Sequence, residues 1–152
     1  MTTPEERLVE LGLQLPIPPA PVANYMPHRL IGSTLYLSGQ VSRSANGNSA
    51  VGCLGDDMDV DEGYAHARSC ALQLIAVAKA AVGDLSRLSV AKVLGMVRAT
   101  PEFERHPQVI DGASDLLVAV FGVEGHHARS AVGVSSLPRC APVEIEAIFH
   151  VR

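Results

Sequence analysis

Val143-Glu-Ile-Glu-Ala-Ile-Phe-His-Val151 decides the fold. Val143, Ile145, Ala147, Phe149 and Val151 recur at every second position, with Glu144, Glu146 and His150 between them. Successive side chains of a strand point to opposite faces, so this is a strand with one face committed to a core. Such a strand needs a sheet beside it and a layer over its apolar side.

The rest of the chain supplies both. Residues 34–41 alternate in the same way, with Leu35, Leu37 and Val41 expected on one face and Tyr36, Ser38 and Gln40 on the other. Residues 88–99 carry few charges and read as a strand buried on both faces. Residues 129–137 and 142–151 read as two strands around a Pro138-Arg-Cys-Ala141 hairpin turn, and residues 50–54 as one short strand in a Gly/Ser/Asn-rich turn region.

Two helices provide the layer. Asp59-Val-Asp-Glu62 is a capping box, and Tyr64, Ala67, Ala71, Leu74, Ile75, Ala78 and Val82 then recur at helical spacing until Gly83. The second helix is expected over 113–121, capped by Asp111, with Leu116, Leu117, Val120 and Phe121 inward and Gly122 as its stop. Thr3-Pro-Glu-Glu6 is a further capping box for a short helix up to Gly12, and a proline-rich lead-in follows to residue 21. The order β-β-(β)-α-β-α-β-β in 152 residues predicts one α+β domain spanning 1–152, a single mixed sheet with two helices on one face.

Composition narrows the function. The net charge is −4, with 12 basic and 16 acidic residues, no Lys/Arg cluster, no Trp and 4% aromatics. A nucleic-acid partner is disfavoured, because it usually demands a basic footprint and stacking aromatics. No apolar run reaches the roughly 18 residues of a membrane span. The polar, acidic start is not a secretory signal, which makes the cytoplasm the expected location. Cys53, Cys70 and Cys140 are odd in number and lack CxxC spacing, so they are expected reduced and structural.

With helices on the apolar face, alternation puts Glu144, Glu146, His150, Tyr36, Ser38, Gln40 and Arg129 on the other. This face also carries apolar residues of the 88–99 strand, and a half-apolar face is expected to be a subunit interface. The competing reading is a solvated strand surface with an ion pair worth under about 1 kcal/mol. Spacing alone does not bring Arg129 and Glu144 together.

Five motifs occur in one order: Tyr36-Leu-Ser-Gly-Gln40, Gly112-Ala-Ser-Asp-Leu-Leu117 with Val120-Phe-Gly122, His127-Ala-Arg-Ser-Ala-Val-Gly-Val134, Leu137-Pro138 and Val143-Glu-Ile-Glu-Ala147. Together they resemble the YjgF/RidA (reactive-intermediate deaminase) family, over about residues 4–151. More narrowly they resemble the branch labelled endoribonuclease or translation inhibitor. The resemblance implies a chorismate-mutase-like fold, a homotrimer, and clefts between subunits for a small carboxylate-bearing metabolite. It implies hydrolytic deamination of reactive 2-imino or enamine acids from amino-acid metabolism, without metal or organic cofactor. Arg129 would grip the substrate carboxylate. Glu144 would hold the attacking water, shared by the Ala131 carbonyl. Tyr25 and Ser38 would line the pocket. Asp111 departs from the branch's usual Asn, either capping the helix or repelling an anionic substrate.

The alternatives are a non-catalytic trimer that binds small carboxylates, or an endoribonuclease. His126-His127 has no third ligand at metal spacing, and Cys140 has no basic partner at a fixed spacing.

Overall fold

The computed structural model describes residues 1–18, 20 and 24–152; the end of the lead-in, with Pro19 and Pro21, falls outside the described residues. Three helices, α1 (Pro4–Glu10), α2 (Val60–Val82) and α3 (His106–Phe121), accompany five strands. These are β1 (His28–Ile31), β2 (Thr34–Val41), β3 (Leu88–Arg98), β4 (Ala128–Val134) and β5 (Val143–Val151). They form one mixed sheet in the order β1-β2-β5-β3-β4, antiparallel except for the parallel pair β3–β4. The α+β class and the mixed sheet are as expected.

Both capping boxes form. The Glu6 amide donates to Thr3 Oγ1 at 3.1 Å and the Glu62 amide to Asp59 Oδ1 at 2.8 Å. The side chains of Glu6 and Glu62 accept in return from the amides of Thr3 and Asp59. α2 packs across the sheet under β5 and β2, and α3 lies close beside it. At their crossing a Cβ on Gly112 would stand 2.0 Å from the Tyr64 carbonyl oxygen, so only glycine permits this approach.

Beneath the helices, Val143, Ile145 and Phe149 of β5 meet Leu35 of β2, Val93 and Val97 of β3 and Leu116 and Leu117 of α3, all fully buried. Phe121 stacks edge-on against Phe149 at 5.8 Å.

Four expectations are corrected. First, β4 and β5 are not a hairpin, because β3 lies between them. β4 instead follows β3 in parallel through α3, the usual crossover for parallel strands. Second, a bulge at Ser38-Gly39 shifts the β2–β5 register, so that Leu37 pairs with Ala147 but Gln40 with Ile145. Gln40 therefore turns inward and is 7% exposed, while Val41, paired with Glu144, turns to the open face. Third, α3 begins at His106, so Asp111 sits inside the helix and caps nothing. Fourth, residues 50–54 form only isolated bridges at Leu54. β1 pairs with β2 through the two-residue Gly32-Ser33 turn, where Gly32 takes φ 60.

Candidate functional site

The expected site residues fall into two groups on opposite faces of the sheet. Arg129 pairs in register with Val93, and Ala131 with Gly95, so both point toward the helices rather than to the open face. This corrects the expected placement of Arg129 on the open face with Glu144. The reason is local: β4 is the edge strand, so a long side chain there can reach around to the polar flank of α3. Val132, on the other side of β4 from Arg129, accordingly stands on the open face, 42% exposed.

Arg129 is held from several sides. Its Nη1 donates to Asp111 Oδ1 at 2.8 Å and to Ser114 Oγ at 3.1 Å. Its Nη2 reaches only the Pro107 carbonyl, at 3.5 Å. One edge of the guanidinium is thus occupied and the other is nearly free. Behind it, Ser114 Oγ lies 2.9 Å from His127 Nε2, and His127 Nδ1 lies 2.6 Å from the Gly125 carbonyl. A carbonyl can only accept, so Nδ1 carries a proton toward Gly125 and Nε2 faces the Ser114 hydroxyl. The His127 ring therefore serves to orient this cluster. Among the described residues no group of three metal-ligating side chains forms.

Glu144 lies elsewhere. Its register partners are Met96 and Val41, on the sheet face away from the helices. Across the sheet it is two strand spacings, roughly 10 Å, from β4. It lines a cleft of about 220 Å³ together with Tyr25, Gly39, Gln40, Arg43, Gln73 and Arg139. The glycine is required there: a Cβ on Gly39 would stand 2.6 Å from Glu144 Oε1. Gln73 Nε2 donates to the Val41 carbonyl at 2.9 Å and fixes the wall opposite. Burial raises the proton affinity of Glu144 above the ordinary glutamate range, and the neighbouring Glu146 adds to it.

Tyr25 thus shares the Glu144 cleft, as expected. Ser38 does not: its hydroxyl donates to the Met26 carbonyl at 2.6 Å and lines an adjoining groove of about 530 Å³ on the open sheet face. This groove mixes Tyr36, Leu94 and Ile148 with Arg29, Lys92 and Glu146. Asp111 and Ala131 belong to the Arg129 group. The sequence reading missed Arg43, Arg139 and Gln73, because loop and helix residues reach this cleft only through tertiary packing. The Ser114–His127 pair could have been suspected only from its place in two of the motifs.

Comparison with known proteins decides the family. Residues 5–143 match the family model described as YjgF/chorismate mutase-like, putative endoribonuclease. The chain belongs to the YjgF/RidA family. A 2-iminobutanoate/2-iminopropanoate deaminase of Dermatophagoides farinae is 31% identical over 140 residues, 91% of this chain and 94% of that one. Protein TCP17 of Trypanosoma cruzi is 44% identical over 146 residues, 95% and 91% of the two chains. A solved structure described as a putative endoribonuclease from Shewanella oneidensis is 37% identical, with TM-score 0.93 over 98% of this chain and 99% of that one. The RidA-type fold thus carries both the free Arg129 edge and the Glu144 cleft. Among the described residues no helix is long and apolar enough to cross a membrane.

Proposed function

We propose that this YjgF/RidA protein is a cofactor-independent hydrolytic deaminase of 2-imino and enamine acids arising in amino-acid metabolism. The observation that carries the reading is Glu144: a half-buried carboxylate with raised proton affinity, in a cleft beside Tyr25. A general base works best when its pKa lies near the working pH, and burial moves Glu144 in that direction.

Arg129 cannot join Glu144 within one chain, since they lie on opposite faces. The site is therefore completed by a second copy, in a homotrimer whose interfaces cover the half-apolar open face. One copy brings Glu144, Tyr25 and the adjoining Ser38. The next brings Arg129, whose free guanidinium edge suits the planar carboxylate of a substrate, together with the Ala131 carbonyl. Asp111 and Ser114 hold the other edge and fix the fork in place.

Water held by Glu144 attacks the imine carbon and gives a proton to the carboxylate. That proton passes to the nitrogen to give a carbinolamine; the same carboxylate then carries the hydroxyl proton to the nitrogen as the C–N bond breaks, and ammonia leaves behind a 2-oxo acid. The similarity to the Dermatophagoides farinae deaminase supports this chemistry.

A second reading, a trimer that binds small carboxylates without turnover, draws on Asp111 occupying part of Arg129. The endoribonuclease reading has less support, given a net charge of −4. An imine-trapping assay separates them. An amino-acid oxidase generates the imine, semicarbazide competes for it, and 2-oxo acid release is timed. The deaminase outpaces semicarbazide; the binding protein leaves the trapping rate unchanged.

A further inference from the structure

The turn between β4 and β5 holds a feature that imine hydrolysis does not use. Arg139 and Cys140 both take left-handed backbone conformations, at φ 59 and φ 56, and neither is glycine. Two adjacent residues of this kind are strained and persist only where the surroundings fix them. Here they are fixed. The Cys140 carbonyl accepts from the Gly52 amide at 3.2 Å and from Arg98 Nη1 at 3.5 Å. The Ala141 amide donates to the Pro138 carbonyl at 3.1 Å.

This turn carries the Arg139 side chain into the lining of the Glu144 cleft, with Arg43 also on the wall. Among the described residues neither arginine pairs with a carboxylate; the ion pairs formed are Lys79–Glu5, Arg129–Asp111 and Arg152–Glu124. Two guanidinium groups without a carboxylate partner thus line one cleft, in a chain whose net charge is −4. A ligand with a single carboxylate, anchored by Arg129 of another copy, gives these arginines nothing to bind. The cleft of about 220 Å³ has room for a small ligand.

We propose that the Glu144 cleft is selective for dicarboxylates, with Arg139, assisted by Arg43, binding the carboxylate at the end of the substrate remote from the imine. Resting on the deaminase reading, this names its substrate class: 2-imino dicarboxylic acids of the iminosuccinate and iminoglutarate type. The products are the corresponding 2-oxo dicarboxylates and ammonia. The guanidinium forks supply paired donors to a planar carboxylate.

The test uses the full chain and two probes, 2-oxoglutarate and 2-oxobutanoate, titrated calorimetrically. Wild type is expected to bind 2-oxoglutarate about tenfold more tightly than 2-oxobutanoate. Arg139→Gly removes the guanidinium and relieves the left-handed strain, so it tests the charge without threatening the fold; it should abolish most of that preference. Arg139→Lys should keep part of it. The same ratio is then read in kcat/KM for the two imines. Equal affinities, no binding of 2-oxoglutarate, or a preference unchanged in Arg139→Gly would each overturn the inference. Arg139-dependent dicarboxylate binding without imine hydrolysis would uphold it and remove the deaminase reading. Hydrolysis with no dicarboxylate preference would do the reverse.

Discussion

The helix-covered face of the sheet and its open face are made by the same strands but differ in what they bury. On the covered face Val143, Ile145 and Phe149 of β5 have no exposure. On the open face the alternate residues include Tyr36, 44% exposed, and Val132, 42% exposed, beside the charges of Lys92 and Glu146. The first face is complete within one chain. The second has apolar area without a cover within one chain and carries Glu144 but not Arg129. Under the proposed deaminase reading, the covered face is finished within one chain and the site is not.

Four experiments break or sharpen that contrast. The largest effect is expected at the covered face. Phe149→Ala should cost about 3–5 kcal/mol in denaturant unfolding at fixed protein concentration, because it leaves a cavity under α3. A loss below about 1 kcal/mol would mean that the helices do not rest on β5. The open face should respond through assembly instead. Light scattering of wild type should give roughly three times 16.0 kDa. Val132→Asp should reduce this to single chains that keep their circular dichroism; a wild-type monomer at micromolar concentration would contradict the trimer.

The third experiment addresses the Arg129 group. Arg129→Ala should lower kcat/KM for imines by about a hundredfold or more while the oligomer mass stays unchanged. Arg129→Lys should recover little, since it keeps the charge but loses the planar fork. Loss of the oligomer in Arg129→Ala would instead make the Asp111 pair structural.

The smallest effect is a shift in pH dependence. Burial first, and Glu146 second, hold the Glu144 proton above the ordinary glutamate range. The acid limb of the kcat/KM profile should therefore lie at higher pH than for an unperturbed glutamate, with activity present above the raised pKa and lost as pH falls through it. Glu146→Gln should move that limb down. The sign for stability is opposite: a carboxylate whose pKa is raised on folding destabilises the fold as pH rises above its unfolded value.

How much of this was legible in the sequence varied with the kind of signal. β5 and α2 were readable because each is long, strongly periodic and closed by a cap or a turn. The facing of Gln40 and Val41 was not, because one extra residue in a bulge reverses everything beyond it. Arg129 was misplaced for a related reason. Edge strand β4 shows weak alternation, and it pairs with β3, across α3, rather than with β5, the strand that follows it in the chain. The family motifs pointed to Arg129, Glu144 and Tyr25, yet no spacing rule could reveal that the first two lie on opposite faces. Arg139 was visible only as a turn residue; its approach to Glu144 depends on how that turn is tied to Gly52 and Arg98.

The central claim is that each catalytic site takes Glu144 from one copy and Arg129 from another. Mixing two inactive variants tests it most directly. Arg129→Ala and Glu144→Gln are each prepared alone, then co-expressed with distinct tags so that mixed oligomers can be isolated and assayed for imine hydrolysis. In each isolated mixed trimer one site of three pairs a native Glu144 with a native Arg129, so activity should rise from near zero to about a third of wild type. If the mixed oligomers remain as inactive as either variant alone, Arg129 and Glu144 do not act in one site across copies, and the account is wrong.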